Sequence, residues 1–291
     1  MHPRITVLGA GRMGSALASA FLRQKYQTTV WNRTSSRLDP LVALGAQAAS
    51  SPADAVAAAD IVLVNVIDYA VADGILKSER VAEALRGKLL VQLTSGSPRQ
   101  ARDTAAWAAK QGIRYLDGAI MATPDLVGSD HCTILYTGDP RAYDEHKSAL
   151  QVLGVNSAHV GADVGHAAAL DSALLIVMWG ALFGTLQGVA VCQAEGLNLA
   201  AYSGYLAPFL QSMNGWALDV VKRVEEGRLS ADSETVATIE VHHVAFRCLL
   251  ELCKDRHIHR ALPEAMQTIF DTSVRAGLAQ EDFAAMSRFL R

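Results

Sequence analysis

Ile5-Thr6-Val7-Leu8-Gly9-Ala10-Gly11-Arg12-Met13-Gly14 decides how the N-terminal half of this 291-residue chain is read. Four apolar residues make a short buried strand, and an alanine-rich helical run continues to about Gln24. Between them lies a G-x-G-x-x-G run in the strand-to-helix context that gives the motif its meaning. Gly9 permits the tight turn, Gly11 lets the backbone approach a pyrophosphate, and Gly14 allows the helix to pack closely on the strand. The helix N-terminus adds free N–H groups and a positive dipole end. A dinucleotide is the expected ligand.

The neighbouring segments say which one. A second strand, Thr28-Thr29-Val30-Trp31, runs into Asn32-Arg33-Thr34-Ser35-Ser36-Arg37. An NAD site usually carries an acidic side chain roughly 20 residues past the glycines, to hold the ribose 2′-OH. Here the first acid is Asp39. Two arginines and three hydroxyl residues instead suit a 2′-phosphate, which Arg grips through a bidentate fork. The alternative is a solvated turn with incidental arginines; the position favours NADP(H).

Strand and helix patterns go on alternating, with strands expected at residues 61–66, 89–93, 115–117 and 132–136 and a helix opening at Ser50-Ser51-Pro52. Such alternation predicts parallel strands joined by right-handed crossovers. Ligands then lie outside the carboxyl ends of the strands. The loops 65–69, 94–98 and 119–124 therefore form the expected rim, which puts Val66, Thr94, Ser95 and Met121 beside the cofactor.

Strand patterns stop near residues 160–165, so the domains are placed at 1–162 and 163–291. Beyond lie only helical periods: a long apolar helix at 166–193, then 201–224, 233–257 and 262–276, with a last piece from Glu281. The long helix tests the reading, because residues 172–193 are uncharged and long enough for a bilayer, which needs about 20 residues. Gly180, Gly184 and Gly188 recur at every fourth position. Yet Asp171 and Glu195 flank the run where Lys or Arg would be expected. A soluble helix buried on all sides gives the same pattern, and no membrane association is expected.

Bulk properties agree. The net charge is -3 with no long basic run, so nucleic acid is not an expected partner. Cys132, Cys192, Cys248 and Cys253 form no C-x-x-C or zinc-like pattern, which suits reduced thiols in a cytoplasmic protein. The N-terminus lacks the pattern of a signal peptide. His242 and His243 have no evident third ligand, so no metal is expected.

Five stretches together resemble the imine reductases and reductive aminases, relatives of the β-hydroxyacid dehydrogenases. They are VLGAGRMGSALA, WNRT, LTSGSP, GAIMATP and ALDSALLIVMWG, and the likeness continues into ALPEAMQTIFDTSVRAG and EDFAAM. The resemblance spans nearly the full length. It implies an α/β N-terminal Rossmann domain, a long interdomain helix and an all-helical C-terminal domain exchanged between the two subunits of a homodimer, with residues of both chains in the active cleft. By position, Gly9, Gly11, Arg12, Met13, Asn32, Arg33, Thr34 and Arg37 match the NADPH-binding segments. Ser95 falls beside the nicotinamide, where some relatives have Asn. Asp171 matches the acid proposed as proton donor or substrate anchor, a place other members give to Tyr. Trp179 stands where reductive aminases often have Tyr, which removes one hydroxyl from the expected pocket.

The chemistry of the residues points the same way. A carbonyl accepting hydride develops charge on oxygen and wants a cation or an O–H donor. Between Lys147 and Lys222 the chain has no Lys or Arg at all. It offers Asp171, about two turns into an apolar helix, where an unpaired charge costs several kcal/mol. A carboxylate there binds a cationic imine; a carboxyl with raised pKa delivers a proton to nitrogen. Against this, Asp171 is readable as a first-turn acid favoured by the helix dipole, but Asp163 is better placed for that role. Leu174, Met178, Trp179, Met213, Trp216 and His242, with Ser95, are the candidate substrate pocket. Phe183, Tyr202, Tyr205 and Phe209 are further apolar candidates, and at least half of this whole set is expected in the core. The leading expectation is reduction of an imine, or of an amine and ketone coupled through one. A carbonyl dehydrogenase of the β-hydroxyacid type and a non-catalytic NADP(H) sensor are the alternatives.

Overall fold

The computed structural model describes residues 2–290. It resolves into two compact units, one ending at Met178 and the other starting at Trp179. This division falls inside the long helix.

The first unit is built on strands β1 (Ile5–Leu8), β2 (Thr28–Trp31), β3 (Gln47–Ala48), β4 (Ile61–Val64), β5 (Leu89–Gln92), β6 (Arg114–Ile120), β7 (Ile134–Gly138) and β8 (Ala158–His159). They form one sheet in the order β3-β2-β1-β4-β5-β6-β7-β8. Helices α1 (Arg12–Arg23), α2 (Asp39–Ala43), α3 (Pro52–Ala57), α4 (Tyr69–Leu76), α5 (Glu79–Leu85), α6 (Pro98–Lys110) and α7 (Pro140–Leu150) connect them. Strands β1 and β4 are buried on both faces, as their unbroken apolar runs require. One face packs Phe21, Leu63 and Tyr136; the other packs Leu8, Val64 and Leu90. Helix starts follow local chemistry: Ser51 accepts from the Asp54 amide, and Ser97 with Gln100 makes a reciprocal capping box.

Two expectations need correction. Strand β6 runs to Ile120 and pairs antiparallel with β7, where a parallel crossover was expected. The connector from residue 121 to 133 holds only a 3-10 turn, Pro124–Leu126, so no helix exists to carry the chain back across the sheet. Gly118, just past the expected end of the strand, lies within β6, where a side chain would meet Leu93 and the Tyr136 ring. Second, β4 ends at Val64, two residues early, where Asn65 turns towards the glycine loop.

Helix α8 (Gly165–Ala194) opens on Asp163, whose Oδ1 accepts the Gly165 amide at 2.9 Å. Arg102 grips the same carboxylate through two 2.9 Å bonds and holds its pKa down to about 2. The expectation of a helix buried on all sides fails in the isolated chain. Its apolar side chains, Leu174, Ile176, Val177, Phe183 and Leu186 among them, are exposed. It is long and apolar enough to cross a membrane by length and composition.

The second unit continues with α9 (Leu199–Glu226), α10 (Ile239–Asp255), α11 (Ala261–Arg275) and a terminal 3-10 segment, Phe283–Phe289. A small core of Ile239, Phe270, Ala285 and Met286 joins them. Helix α10 starts six residues later than the sequence pattern suggests. Residues 233–238 are held as a loop instead: Asp232 accepts the Glu234 amide, and Thr235 donates to Asp282. Beneath them the fully buried Arg223 binds Asp219, Asp232 and Asp282, a charge made tolerable by three carboxylates.

Candidate active site

Strand order reverses between β1 and β4, and the carboxyl ends of those strands open a groove of ≈ 590 Å³. Gly9 sits there at φ +105, and a Cβ would come 2.1 Å from Asn65 O. Gly14 is sealed in the same way, 2.0 Å from Gly9 O. Gly11 differs: a Cβ would meet nothing, so this glycine faces open space at the first turn of α1. That is the geometry expected where a pyrophosphate approaches main-chain N–H groups.

Asn32 stands where an NAD enzyme carries its ribose acid. Its Oδ1 accepts from the Ala10 amide at 3.0 Å and its Nδ2 donates to Thr34 O at 2.9 Å. The side chain thus staples the glycine loop to the loop that presents Arg33 and Arg37. Both arginines are exposed and line the groove with Arg12, Met13 and Val66. The cradle and the guanidinium groups fit an NADP dinucleotide on these grounds. Thr34 is exposed at the start of the next turn, outside the groove lining.

A smaller recess of ≈ 240 Å³ shares Met13, Asn65, Val66 and Ile67 with the groove and adds Leu93, Ser95 and Ile120. Ser95 is thereby brought to the end of the groove away from Arg33. Thr94 is buried, and its hydroxyl accepts the Val66 amide at 3.1 Å, so it orients the rim and does not line it. Met121 donates its amide to Thr133 O at the edge strand and lines neither space. Asn65 and Ile67 line the groove from within the rim loop expected at 65–69, while Trp31, Val71 and Ile75 line it but were not singled out from the sequence. The four-residue spacing of Ile67, Val71 and Ile75 was the signal: one apolar stripe running from the rim into α4.

Asp171 lies on α8 within the first unit, half-buried, and burial alone pushes its carboxyl above the usual carboxylate range. No side-chain hydrogen bond or neighbouring charge acts on it. The capping role belongs to Asp163, so Asp171 is left with no structural task among the described residues. An acid whose carboxyl is raised by burial, in a helix with no Lys or Arg, is equipped to give a proton to a basic atom or to bind a cation.

None of the four cavities described within the units brings the candidate substrate residues together. Leu174 and Met178 are exposed on the first unit; Trp179, Met213 and Trp216 are exposed on the second, with Trp216 packed edge-on against Phe209 at 5.8 Å. His242 lines a separate apolar cavity of ≈ 540 Å³ with Phe246, Phe270 and Phe283. His243 is held by Asp271 and Gln267.

Comparison with known proteins agrees with this layout. Residues 4–161 match the NAD binding domain of 6-phosphogluconate dehydrogenase, and residues 163–291 match the C-terminal domain of NADPH-dependent reductive aminase-like proteins. An imine reductase from Myxococcus stipitatus, solved with NADP+, is 51% identical over 99% of this chain and 100% of its own, with a TM-score of 0.97. A reductive aminase from Aspergillus terreus, solved with NADPH and ethyl levulinate, is 32% identical over 100% of both chains, with a TM-score of 0.91. An NADPH-dependent reductive aminase from Aspergillus oryzae is 29% identical over 100% of this chain and 98% of its own.

Proposed function

The chain belongs to the family of imine reductases and reductive aminases, and from that premise we propose that it reduces the C=N bond of an imine to an amine with NADPH. The observation that carries this reading is Asp171, whose carboxyl is raised by burial in a stretch of 74 residues (148–221) without a Lys or Arg. A carbonyl gaining hydride needs a cation or a hydroxyl donor for the oxyanion, and this stretch holds no cation. An imine needs a proton on nitrogen, or an anion to hold its protonated form, and a carboxyl group serves either need.

Gly9, Gly11, Arg12 and Met13 would hold the pyrophosphate, Arg33 and Arg37 the 2′-phosphate, and Val66 and Ser95 the far end of the dinucleotide. The bound cofactor supplies the hydride to carbon. Asp171 supplies the proton to nitrogen from its neutral form, or orients an iminium from its charged form. Cyclic imines are the favoured substrates. Trp179 offers no hydroxyl, so the site is less suited to assembling an imine from a free amine and ketone.

Two copies exchanging their C-terminal domains would cover the apolar faces that each chain leaves bare on α8 and α9, and would bring residues of both to the substrate. A cytoplasmic location is part of the same reading, supported by four cysteines that form no disulfide. The test is NADPH absorbance followed with 1-pyrroline or a dihydroisoquinoline, and separately with 2- and 3-oxo acids. Imine-dependent consumption is expected. Consumption with oxo acids alone assigns the chain to carbonyl reduction, and tight NADPH binding with neither leaves a sensor.

A further inference from the structure

Beneath the Ser95 loop lies a buried acid that the proposed chemistry does not use. Asp117, on β6, is 2% exposed. Its Oδ2 accepts from Tyr69 Oη at 2.5 Å and from Tyr115 Oη at 2.7 Å. Tyr69 is the first residue of α4, straight after the rim loop that follows β4. Its ring lies under Gly96, so close that a Cβ there would sit 2.3 Å from the ring. Gly96 is the neighbour of Ser95.

The same loop is tied from two other sides. Gln92, in register with Asp117 on the adjacent strand, accepts the Thr94 amide at 3.0 Å. Asn65 donates to Leu93 O at 2.7 Å, and Val66 donates to Thr94 Oγ1. The two rim loops are therefore one hydrogen-bonded unit resting on the Tyr69 ring, and that ring is fixed by a single carboxyl oxygen.

We propose that Asp117 is a positioning residue whose charge state, through Tyr69, sets how firmly the Ser95 loop is held at the nicotinamide end of the site. That the loop meets the nicotinamide rests on the NADPH reading given above; the hold on the loop does not. Burial raises the Asp117 carboxyl to about 7, while the two tyrosine hydroxyls pull it down. Linkage is reciprocal: if those bonds favour the ionised form, ionisation tightens them. Protonation slackens Tyr69 and the loop above it. From α4 the titratable neighbours are Tyr69 itself and Asp73, which is held by Lys77 at 2.6 Å and by Thr104 of α6. From β6 there is Tyr115; β5 and β7 present Gln92 and Thr137, neither of which titrates. Burial and the two tyrosine hydroxyls act on Asp117, and no cation does.

The test is amide hydrogen exchange of the cofactor-free full chain, read over residues 93–98 from pH 6 to 8.5 and corrected for intrinsic exchange. Wild type is expected to lose protection in this segment as pH falls through about 7, by about tenfold. Tyr69→Phe keeps the ring and removes the bond; it should exchange fast at every pH, with protection elsewhere unchanged. In imine turnover, Tyr69→Phe should lower kcat about tenfold and leave the KM for NADPH within about twofold, because misplacement near the reacting atoms costs rate before it costs binding. Wild-type protection that does not change with pH, or Tyr69→Phe matching wild type, overturns the proposal. Should a variant fold poorly, the wild-type exchange profile still decides. If the exchange result holds while no imine is turned over, the NADPH-imine reading fails and the loop anchor stands.

Discussion

The two halves of this chain hide their apolar residues to very different degrees. Up to Met178 the sheet is sealed: Phe21, Leu63, Leu90 and Tyr136 are fully buried on one face or the other. Past Trp179 the one core cluster found among the described residues has four buried members beside a caged arginine, while Phe183, Leu186, Tyr205 and Phe209 are more than half exposed. Fully covering a side chain of this kind stabilises by about 1.5–3 kcal/mol. The contrast teaches that the sheet of the nucleotide-binding half buries its apolar residues within one chain, while the helical half leaves a large apolar surface bare, which the proposed dimer would cover.

The largest effect expected from that contrast is on assembly. Wild type should sediment as a dimer, and Leu182→Glu with Leu186→Glu should give a folded monomer that binds NADPH and reduces no imine. In a chain that is functional alone, both positions are solvent-facing and the same changes would be nearly silent. Sedimentation velocity and turnover on one sample separate the cases.

Within the sealed half, the next effect is on stability against pH. The folded-state pKa of Asp117 is raised from 3.8 to about 7. The native chain therefore holds a proton that the unfolded chain has lost, and stability falls as pH rises through that window. At about 1.4 kcal/mol per unit, wild type should lose about 3 kcal/mol between pH 5 and 8 relative to Asp117→Asn. Denaturant melts at the two pH values measure it, and parallel slopes for wild type and variant would contradict it. The sign is opposite to that of loop protection in the hydrogen-exchange test. Global stability rises at low pH because burial is relieved, while the local hold of Tyr69 weakens.

A smaller effect is on cofactor choice. Arg33→Ala should weaken NADPH about 10- to 100-fold, as expected for losing one charged hydrogen-bonding partner of a phosphate, and leave NADH nearly unchanged. Equal losses for both cofactors would move Arg33 from recognition to structure.

What the sequence made legible follows from how local each signal is. The strand, glycine loop and helix at residues 5–23 are one contiguous pattern, and the structure places them as read. The long helix was legible to within a residue at each end, 165–194 against 166–193. The direction of β7 was not, because it depends on what the connector lacks. Helix α4 was missed as a short element in a strand-end region, and with it Val71 and Ile75 on the groove wall. Arg223 was invisible because its partners, Asp219, Asp232 and Asp282, come together only in the fold. Apolarity marked α8 for burial, but a sequence carries no sign of whether its own chain or a second copy does the covering.

Asp171 remains the group on which the reading of C=N chemistry rests. The direct measurement is kcat for a cyclic imine across pH in wild type and Asp171→Asn, with NADPH affinity measured alongside. Loss of a positioned proton donor predicts a fall of about 10²–10⁴-fold at unchanged NADPH affinity. In wild type the rate should drop as pH rises through the raised Asp171 pKa if the neutral acid gives the proton, and climb over the same range if the carboxylate holds an iminium. A variant that keeps the wild-type rate and the wild-type pH profile contradicts the account.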